Sequence, residues 1–291
     1  MTKRLLICDL DNTLYDWVGY FVNAFYAMTD EIVAITQCDH EKLLDDFREV
    51  HRRHHDSEHP FALLETETIK KAFPNRSAAE TLKILDRALY AFNAVRKNSL
   101  QLYPGVRETL DALNSEGVSL VAHTESKLYA TIDRLTRLDL TKYFSHIYCR
   151  ERPDSAHPRT SGSWDKMKEF PMDRVVELSH HQRKPNVDVL LEICAREGVS
   201  PRLTAYIGDS LTRDVLMAKR AGVLAIWAKY GTIHEPGSYE RLVRITHWTP
   251  DDVEREKELQ NEAKAVAPDF VAEQSFSEVI LAVRGMMQLH A

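Results

Sequence analysis

Short apolar runs recur along the chain at 4–9 (RLLICD), 118–123 (VSLVAH), 146–149 (HIYC), 174–178 (RVVEL), 203–208 (LTAYIG), 223–228 (VLAIWA) and 269–272 (DFVA). Most are continuous rather than alternating, which predicts strands buried on both faces. Between them, over 105–116, 126–139, 186–197, 211–221 and 276–289, apolar residues return at helical spacing. Strand and helix in alternation predict an α/β fold, a mostly parallel sheet sandwiched by helices.

One region breaks the alternation. From Asp16 to about Leu100 no strand pattern occurs. Trp17, Phe21, Phe25, Met28, Ile32 and Ile35 form one helical stripe, and Leu43, Leu44, Phe47 and Val50 a second. Ser77 and Glu80 have the spacing of a capping box, and Leu82, Leu85, Leu89, Phe92 and Val95 continue a third helix. "YPGV" at 103–106 marks a turn back to the αβ pattern. The expected organisation is an α/β core of residues 1–15 and 101–291, with a smaller all-α domain of residues 16–100. Two stretches look irregular: 150–172, with Pro153, Pro158 and Pro171, predicts a long loop, and 231–267 mixes Gly and Pro with a charged helical piece over 251–264.

Composition narrows the function classes. Hydrophobic residues are 44 % and charged residues 28 %, ordinary for a globular protein. A net charge of −6 supplies no positive field, so neither nucleic acid nor an anionic membrane is an expected partner. No apolar run is long enough for a transmembrane helix, and the one before Asp9 is too short for a signal-peptide core, so a cytoplasmic location is expected. Cys8, Cys38, Cys149 and Cys194 are scattered without a CxxC pair, which predicts reduced, mostly buried thiols.

The candidate chemistry stands at strand ends. Asp9 and Asp11 follow the first apolar run two residues apart. In extended backbone such residues point the same way, at the end of a strand where α/β sheets bind ligands. Clustered carboxylates repel unless a cation intervenes, and a hard ion such as Mg²⁺ takes oxygen ligands. A pair of solvated turn acids is the alternative, and this stretch alone leaves both readings open. Asp209, after an apolar strand and Gly208, and Asp214, five residues on, add acid at another strand end. Thr124 ends a third strand before a helix, where its hydroxyl and orphan backbone N–H groups suit a phosphate oxygen or a plain helix cap. Lys184 precedes Pro185 and the helix at 186–197.

In this order "DLDNT" (9–13), "AHT" (122–124), "KP" (184–185) and "GDSLTRD" (208–214) resemble the four motifs of the haloacid dehalogenase (HAD) superfamily of hydrolases, on a Rossmann-like core. "LYPGV" (102–106) and "AKRAG" (218–222) are also similar to that family, and the insert at 16–100 resembles its helical cap domain. The resemblance implies Asp9 as a nucleophile forming an aspartyl-phosphate, and Asp11 as the acid that protonates the leaving oxygen and then deprotonates water. It implies Thr124 and Lys184 on the phosphoryl oxygens. Mg²⁺ would be held by Asp9, the backbone carbonyl of Asp11, and Asp209, with Asp214 as ligand or supporting residue.

The function so implied is a Mg²⁺-dependent phosphatase acting on a small phosphorylated metabolite of the nucleotide or sugar phosphate class. Its alternatives are a phosphomutase or phosphotransferase, a 2-haloacid dehalogenase, or a non-catalytic regulatory protein keeping the fold. Asp11 favours phosphoryl transfer over carbon–halogen displacement, which needs no acid there. The intact set of motif residues argues against a decayed site. One departure is Glu125, where relatives commonly carry Asn; a carboxylate beside a phosphate is unfavourable, so Glu125 is expected to point away or to pair with a base. "HRRHHDSEH" (51–59) has His51 and His55 four apart, as in zinc-binding helices, although a solvated cap face or loop is the simpler reading. His123, His180 and His181 neighbour the expected site without an assigned role.

Overall fold

The computed structural model describes residues 3–59, 61–151 and 170–286, and these fall into two compact units. The first comprises the described parts of 1–16, 101–233 and 255–291. It holds one seven-stranded sheet of β1 (Arg4–Cys8), β2 (Val118–Lys127), β3 (His146–Arg150), β4 (Val175–Leu178), β5 (Thr204–Gly208), β6 (Leu224–Ala228) and β7 (Phe270–Ala272). The spatial order is β4-β3-β2-β1-β5-β6-β7, and every pairing is parallel. This is the α/β architecture that the buried apolar runs imply: Leu5, Leu6, Ile7 and Cys8 have no exposed surface at all. Leu5 and Ile7, on one face, pack with Val189, Leu190 and Ile193 of helix Val187–Glu197. Helix Val106–Ser115 lies beside β2 and against Val279–Gly285, burying Leu110, Leu113, Val279 and Val283.

β2 runs to Lys127, beyond the expected end at 123, with an irregular register against β3 between His123 and Lys127. The segment expected as one helix over 211–221 opens with a wide turn, Leu211–Val215, before the regular helix Leu216–Arg220. The long loop expected over 150–172 lies mostly on 152–169, outside the described residues.

The second unit is helical. Helix Trp17–Thr36 buries Phe21, Phe25, Met28 and Ile32, and helix His40–His54 buries Leu43, Leu44, Phe47 and Val50. The rings of Phe25 and Phe47 meet edge to face at 4.9 Å, a favoured aromatic geometry. The Ser77–Glu80 capping box is present and starts Ala78–Ile84, but the expected third helix is two, divided at Leu85 from Asp86–Ser99. A short helix, Glu67–Ala72, is capped by Thr66, which bonds the Ile69 N–H.

This unit also takes in residues 234–254, which the sequence reading assigned to the α/β core. The reason is packing. Ile245 of helix Ser238–Ile245 is fully buried among the helical unit's apolar side chains. The Arg241 guanidinium lies 4.0 Å from the centre of the Tyr26 ring, and Arg244 pairs with Glu41 and Asp45. The charged piece expected over 251–264 is helix Pro250–Ala263.

Candidate active site

β1 is flanked by β2 and β5, so the strand order reverses at its end. Open α/β sheets form their ligand crevice at such a point. Asp9 stands there, its N–H donating to Ile207 O at 2.9 Å. The chain then turns sharply, Leu14 N bonding Leu10 O at 2.8 Å, with Asn12 in the left-handed region at φ 54. Asn tolerates that conformation better than most residues. Behind the turn, Tyr230 donates to Thr13 O at 2.6 Å, and Gly231 approaches so closely that a Cβ would lie 1.7 Å from Asn12 O.

At the end of β5 a second close approach occurs. A Cβ on Gly208 would lie 2.3 Å from the Asp214 carboxylate, so only glycine leaves room. The wide turn after Ser210 carries Asp214 back to that place, where its Oδ2 accepts the Ser210 N–H at 3.1 Å. The buried Lys184 Nζ lies between two carboxylates, 2.8 Å from Asp9 Oδ1 and 2.9 Å from Asp214 Oδ1. Burial alone would lower the Lys184 pKa; Asp214 and Asp9 outweigh it and hold the ammonium charged, well above its ordinary range. Burial pushes Asp9 well up, Lys184 opposing and Asp214 and Asp209 reinforcing the rise. Burial and Asp214 push Asp209 up to about 7.

Asp9, Asp209 and Asp214 bring carboxylate oxygens within 4.8 Å of one another. Three carboxylates beside one ammonium leave two negative charges. An all-oxygen donor set with that excess fits a hard divalent cation such as Mg²⁺. The Asp11 side chain is turned elsewhere. Its Oδ2 accepts from Ser126 Oγ at 2.5 Å and from Arg134 Nη2 at 3.4 Å, and Arg134 Nη2 also donates to Ser126 Oγ at 2.5 Å. Arg134 is fully buried and sits 5.8 Å from the Tyr15 ring centre. Burial and the Asp11 charge raise the Tyr15 phenol well above its usual range.

Thr124 is buried beside these groups, but in a different setting from the expected one. The next helix, Leu128–Arg137, begins four residues later, so Thr124 is a strand residue and not a helix cap. Its Oγ1 accepts the Ser126 N–H at 3.1 Å. Glu125 turns to the Lys184 backbone, accepting its N–H at 3.1 Å, and its charge helps hold Arg213 protonated. His123 is fully buried; burial and Lys184 depress its pKa well below the ordinary value, and Nδ1 lies 3.3 Å from the Tyr206 hydroxyl. His180 lies 3.1 Å from Arg150.

Sequence reasoning missed Ser126, Arg134, Tyr206 and Trp227. Tyr206 donates to Asp214 Oδ1 at 3.3 Å, and Trp227 Nε1 donates to Asp209 O at 2.8 Å. Arg134 carried a readable signal: it follows Thr131 by three residues and adjoins Leu135 on the buried face of its helix. A charged residue there needs a partner.

A family model described as haloacid dehalogenase-like hydrolase matches residues 3–222. The chain belongs to the haloacid dehalogenase-like hydrolases. A second HAD-hydrolase-like model matches residues 181–274. Among curated proteins, a phosphoglycolate phosphatase of Agrobacterium fabrum is 25% identical over 242 residues, covering 81% of this chain and 86% of that one. A glyceraldehyde 3-phosphate phosphatase of Methanopyrus kandleri is 25% identical over 278 residues, covering 92% and 100%. Among solved structures, a 2-haloacid dehalogenase from Pseudomonas syringae pv. Tomato has a TM-score of 0.53 at 20% identity, covering 97% of this chain and 99% of that one. At that identity the likeness speaks for the HAD fold alone. Among the described residues no helix is long and apolar enough to cross a membrane.

Proposed function

We propose that this HAD hydrolase is a phosphatase that hydrolyses a small phosphorylated metabolite through an aspartyl-phosphate. The observation that carries the reading is the cluster of Asp9, Asp209 and Asp214 at the β1–β5 crevice, with Lys184 bonded to Asp9 and Asp214 and Asp11 two residues beyond Asp9. The two phosphatase relatives, which span most of the chain, support the substrate class.

Mg²⁺, held by Asp9, Asp209, Asp214 and the Asp11 carbonyl, would offset charge on the phosphoryl group when bound. The side chains carry the rest. An Asp9 carboxylate oxygen attacks phosphorus while the bond to the leaving oxygen breaks, and Asp11 gives that oxygen its proton. A water then attacks the phosphorus, Asp11 takes its proton, and inorganic phosphate leaves with the Asp9 carboxylate restored. Lys184 and Thr124 hold the phosphoryl oxygens, Lys184 as a fixed positive charge in a buried site. Ser126 and Arg134 hold the resting Asp11 carboxylate, which leaves them to reach the leaving oxygen.

The test is phosphate release from a panel of phosphoesters, including phosphoglycolate, glyceraldehyde 3-phosphate, nucleotides and an aryl phosphate. The expected result is turnover with Mg²⁺ that EDTA and Asp9→Asn each abolish. Full activity in Asp9→Asn, or turnover of no phosphoester with Mg²⁺ present, overturns the reading.

A further inference from the structure

We propose that His54, His59 and Glu65 form a second metal site, in the helical unit, suited to Zn²⁺ or a similar transition-metal ion. The three donors come from three pieces of backbone: the end of helix His40–His54, the loop after it, and the short turn Ala62–Glu65. They converge on one oxygen. His54 Nε2 and His59 Nε2 each lie 3.0 Å from Glu65 Oε1. The two imidazoles are stacked, 3.5 Å between centres and 4° from parallel, and the three donor atoms lie within 4.8 Å of one another, so the rings must splay apart for both to face one ion.

Metal bonds of about 2.0–2.1 Å at tetrahedral angles set neighbouring donors roughly 3.3 Å apart. The two His–Glu65 contacts need to open by only a few tenths of an ångström, while the stacked imidazoles must rotate apart. Coordination through Nε2 displaces the proton that each ring now donates to Glu65. Glu65 Oε2 now accepts from His54 Nε2 at 2.9 Å and lies 3.5 Å from Arg53 Nη2, which would keep it once His54 turns to the ion. An arginine on the non-ligating carboxylate oxygen is the kind of outer contact that fixes a ligand. His59 is buried, while His54 and Glu65 are about one-third exposed, so solvent can supply a fourth ligand. Two imidazoles and one carboxylate select a borderline-soft ion over Mg²⁺.

The ligand loop is already fixed in shape. Trp17 Nε1 donates to Glu58 Oε2 at 3.2 Å, and Ser57 Oγ pairs with His247 Nδ1 at 3.0 Å. Phe61 is held at φ 58, a conformation a bulky aromatic residue rarely adopts. Such strain persists where the surroundings over-determine the backbone, and functional sites are where it collects. The i,i+4 pair that the sequence suggested takes no part: His51 is buried with Nδ1 donating to Ile245 O at 2.7 Å, and His55 caps the helix at φ 48.

Co²⁺ titration of the metal-stripped full chain, in excess Mg²⁺, separates this site from the carboxylate one. A tetrahedral nitrogen–oxygen site gives strong visible absorption, whereas six-coordinate oxygen ligation gives weak bands. The expected result is one strongly absorbing Co²⁺ per chain, displaced by Zn²⁺, retained in Asp209→Asn and lost in His59→Ala and Glu65→Gln. His54→Ala is expected to weaken binding at least tenfold. A folded wild-type chain without the strong band overturns the proposal. So does a band that survives His59→Ala or disappears in Asp209→Asn. If the His59 variant fails to fold, Glu65→Gln and the wild-type spectrum decide. The result is independent of whether the chain hydrolyses phosphoesters.

Discussion

Among the described residues, every buried Asp, Glu, Lys and Arg lies in the α/β unit: Arg4, Asp9, Arg134, Lys184, Glu197 and Asp214. The helical unit's interior is aromatic and aliphatic, and its buried polar groups are threonines, Ser57, Ser238, His51 and His59. Desolvating a charge costs several kcal/mol, and pairing rarely returns more than that. A fold gains little stability from such groups, so the presence of Asp9, Lys184 and Asp214 together at the β1–β5 crevice, with Arg134 on Asp11 beside them, marks that region as one shaped by chemistry. The helical unit shows the opposite economy, an interior built by apolar burial whose buried polar groups are hydroxyls and imidazoles.

The sharpest test of this contrast sets Asp9→Asn against Phe47→Ala. Losing the nucleophile is expected to cut phosphoester hydrolysis by at least about 10³-fold. The thermal midpoint should hold or rise, because a carboxylate crowded by Asp214 and Asp209 is removed while Lys184 keeps Asp214. Phe47→Ala empties part of the helical core and is expected to cost about 3–5 kcal/mol, read by urea unfolding. A large stability loss in Asp9→Asn would break the comparison.

Lys184→Met asks whether the buried charges are as costly as supposed. Removing the ammonium leaves Asp9 and Asp214 without their shared partner, and breaking a buried pair costs about 3–5 kcal/mol. The loss should depend on pH. Asp9 and Asp209 already sit above their ordinary values, Asp209 at about 7, and without Lys184 both rise further. The folded state then binds more protons than the unfolded one, so stability falls as pH rises. In EDTA the deficit should be greater at pH 8 than at pH 5. An equal deficit at both pH values would show that the carboxylates are not crowded.

Acid should act on the helical unit through a different group. Burial pushes the His51 imidazole down to about 4, and its bond to Ile245 O only partly opposes this. The unfolded chain takes up that proton near pH 6.5 and the folded one near pH 4. Stability is therefore full above pH 6.5 and declines as pH falls through 4, by about 3 kcal/mol for a shift of this size. Urea unfolding of His51→Phe beside the wild type is the check. The variant should lose less stability between pH 6.5 and 4.

The same contrast explains what could be read from the chain. All seven strands stand where continuous apolar runs predicted them, because parallel strands buried on both faces leave an unambiguous pattern. The six motif residues stand close to strand ends, where chain order already placed them near one crevice. Membership of 234–254 in the helical unit could not be read, since Leu242 and Ile245 are apolar in a way that names no neighbour. The break at Leu85 left the heptad-like spacing intact. Ser126 was hidden because β2 outruns its apolar stretch to Lys127, through polar residues that resemble a helix start. His54, His59 and Glu65 come together only through a bend in the loop, which no periodicity encodes.

The smallest expected effect compares one helix cap in each unit. Asn186 Oδ1 accepts the Val189 N–H at 3.1 Å and starts helix Val187–Glu197; Asp39 Oδ1 accepts the Lys42 N–H at 2.7 Å and starts helix His40–His54. Each replacement by Ala is expected to cost about 1 kcal/mol, since each loses one capping bond. Their effects on catalysis should differ. Asn186 follows Lys184 by two residues, and the Lys184 loop is otherwise held through its backbone by Glu125 and Arg255. Loosening the helix start frees the ammonium from its place between Asp9 and Asp214, so Asn186→Ala should lower kcat severalfold, while Asp39→Ala leaves kcat unchanged. Equal kcat values for the two variants would mean that Lys184 is held by its carboxylate partners alone.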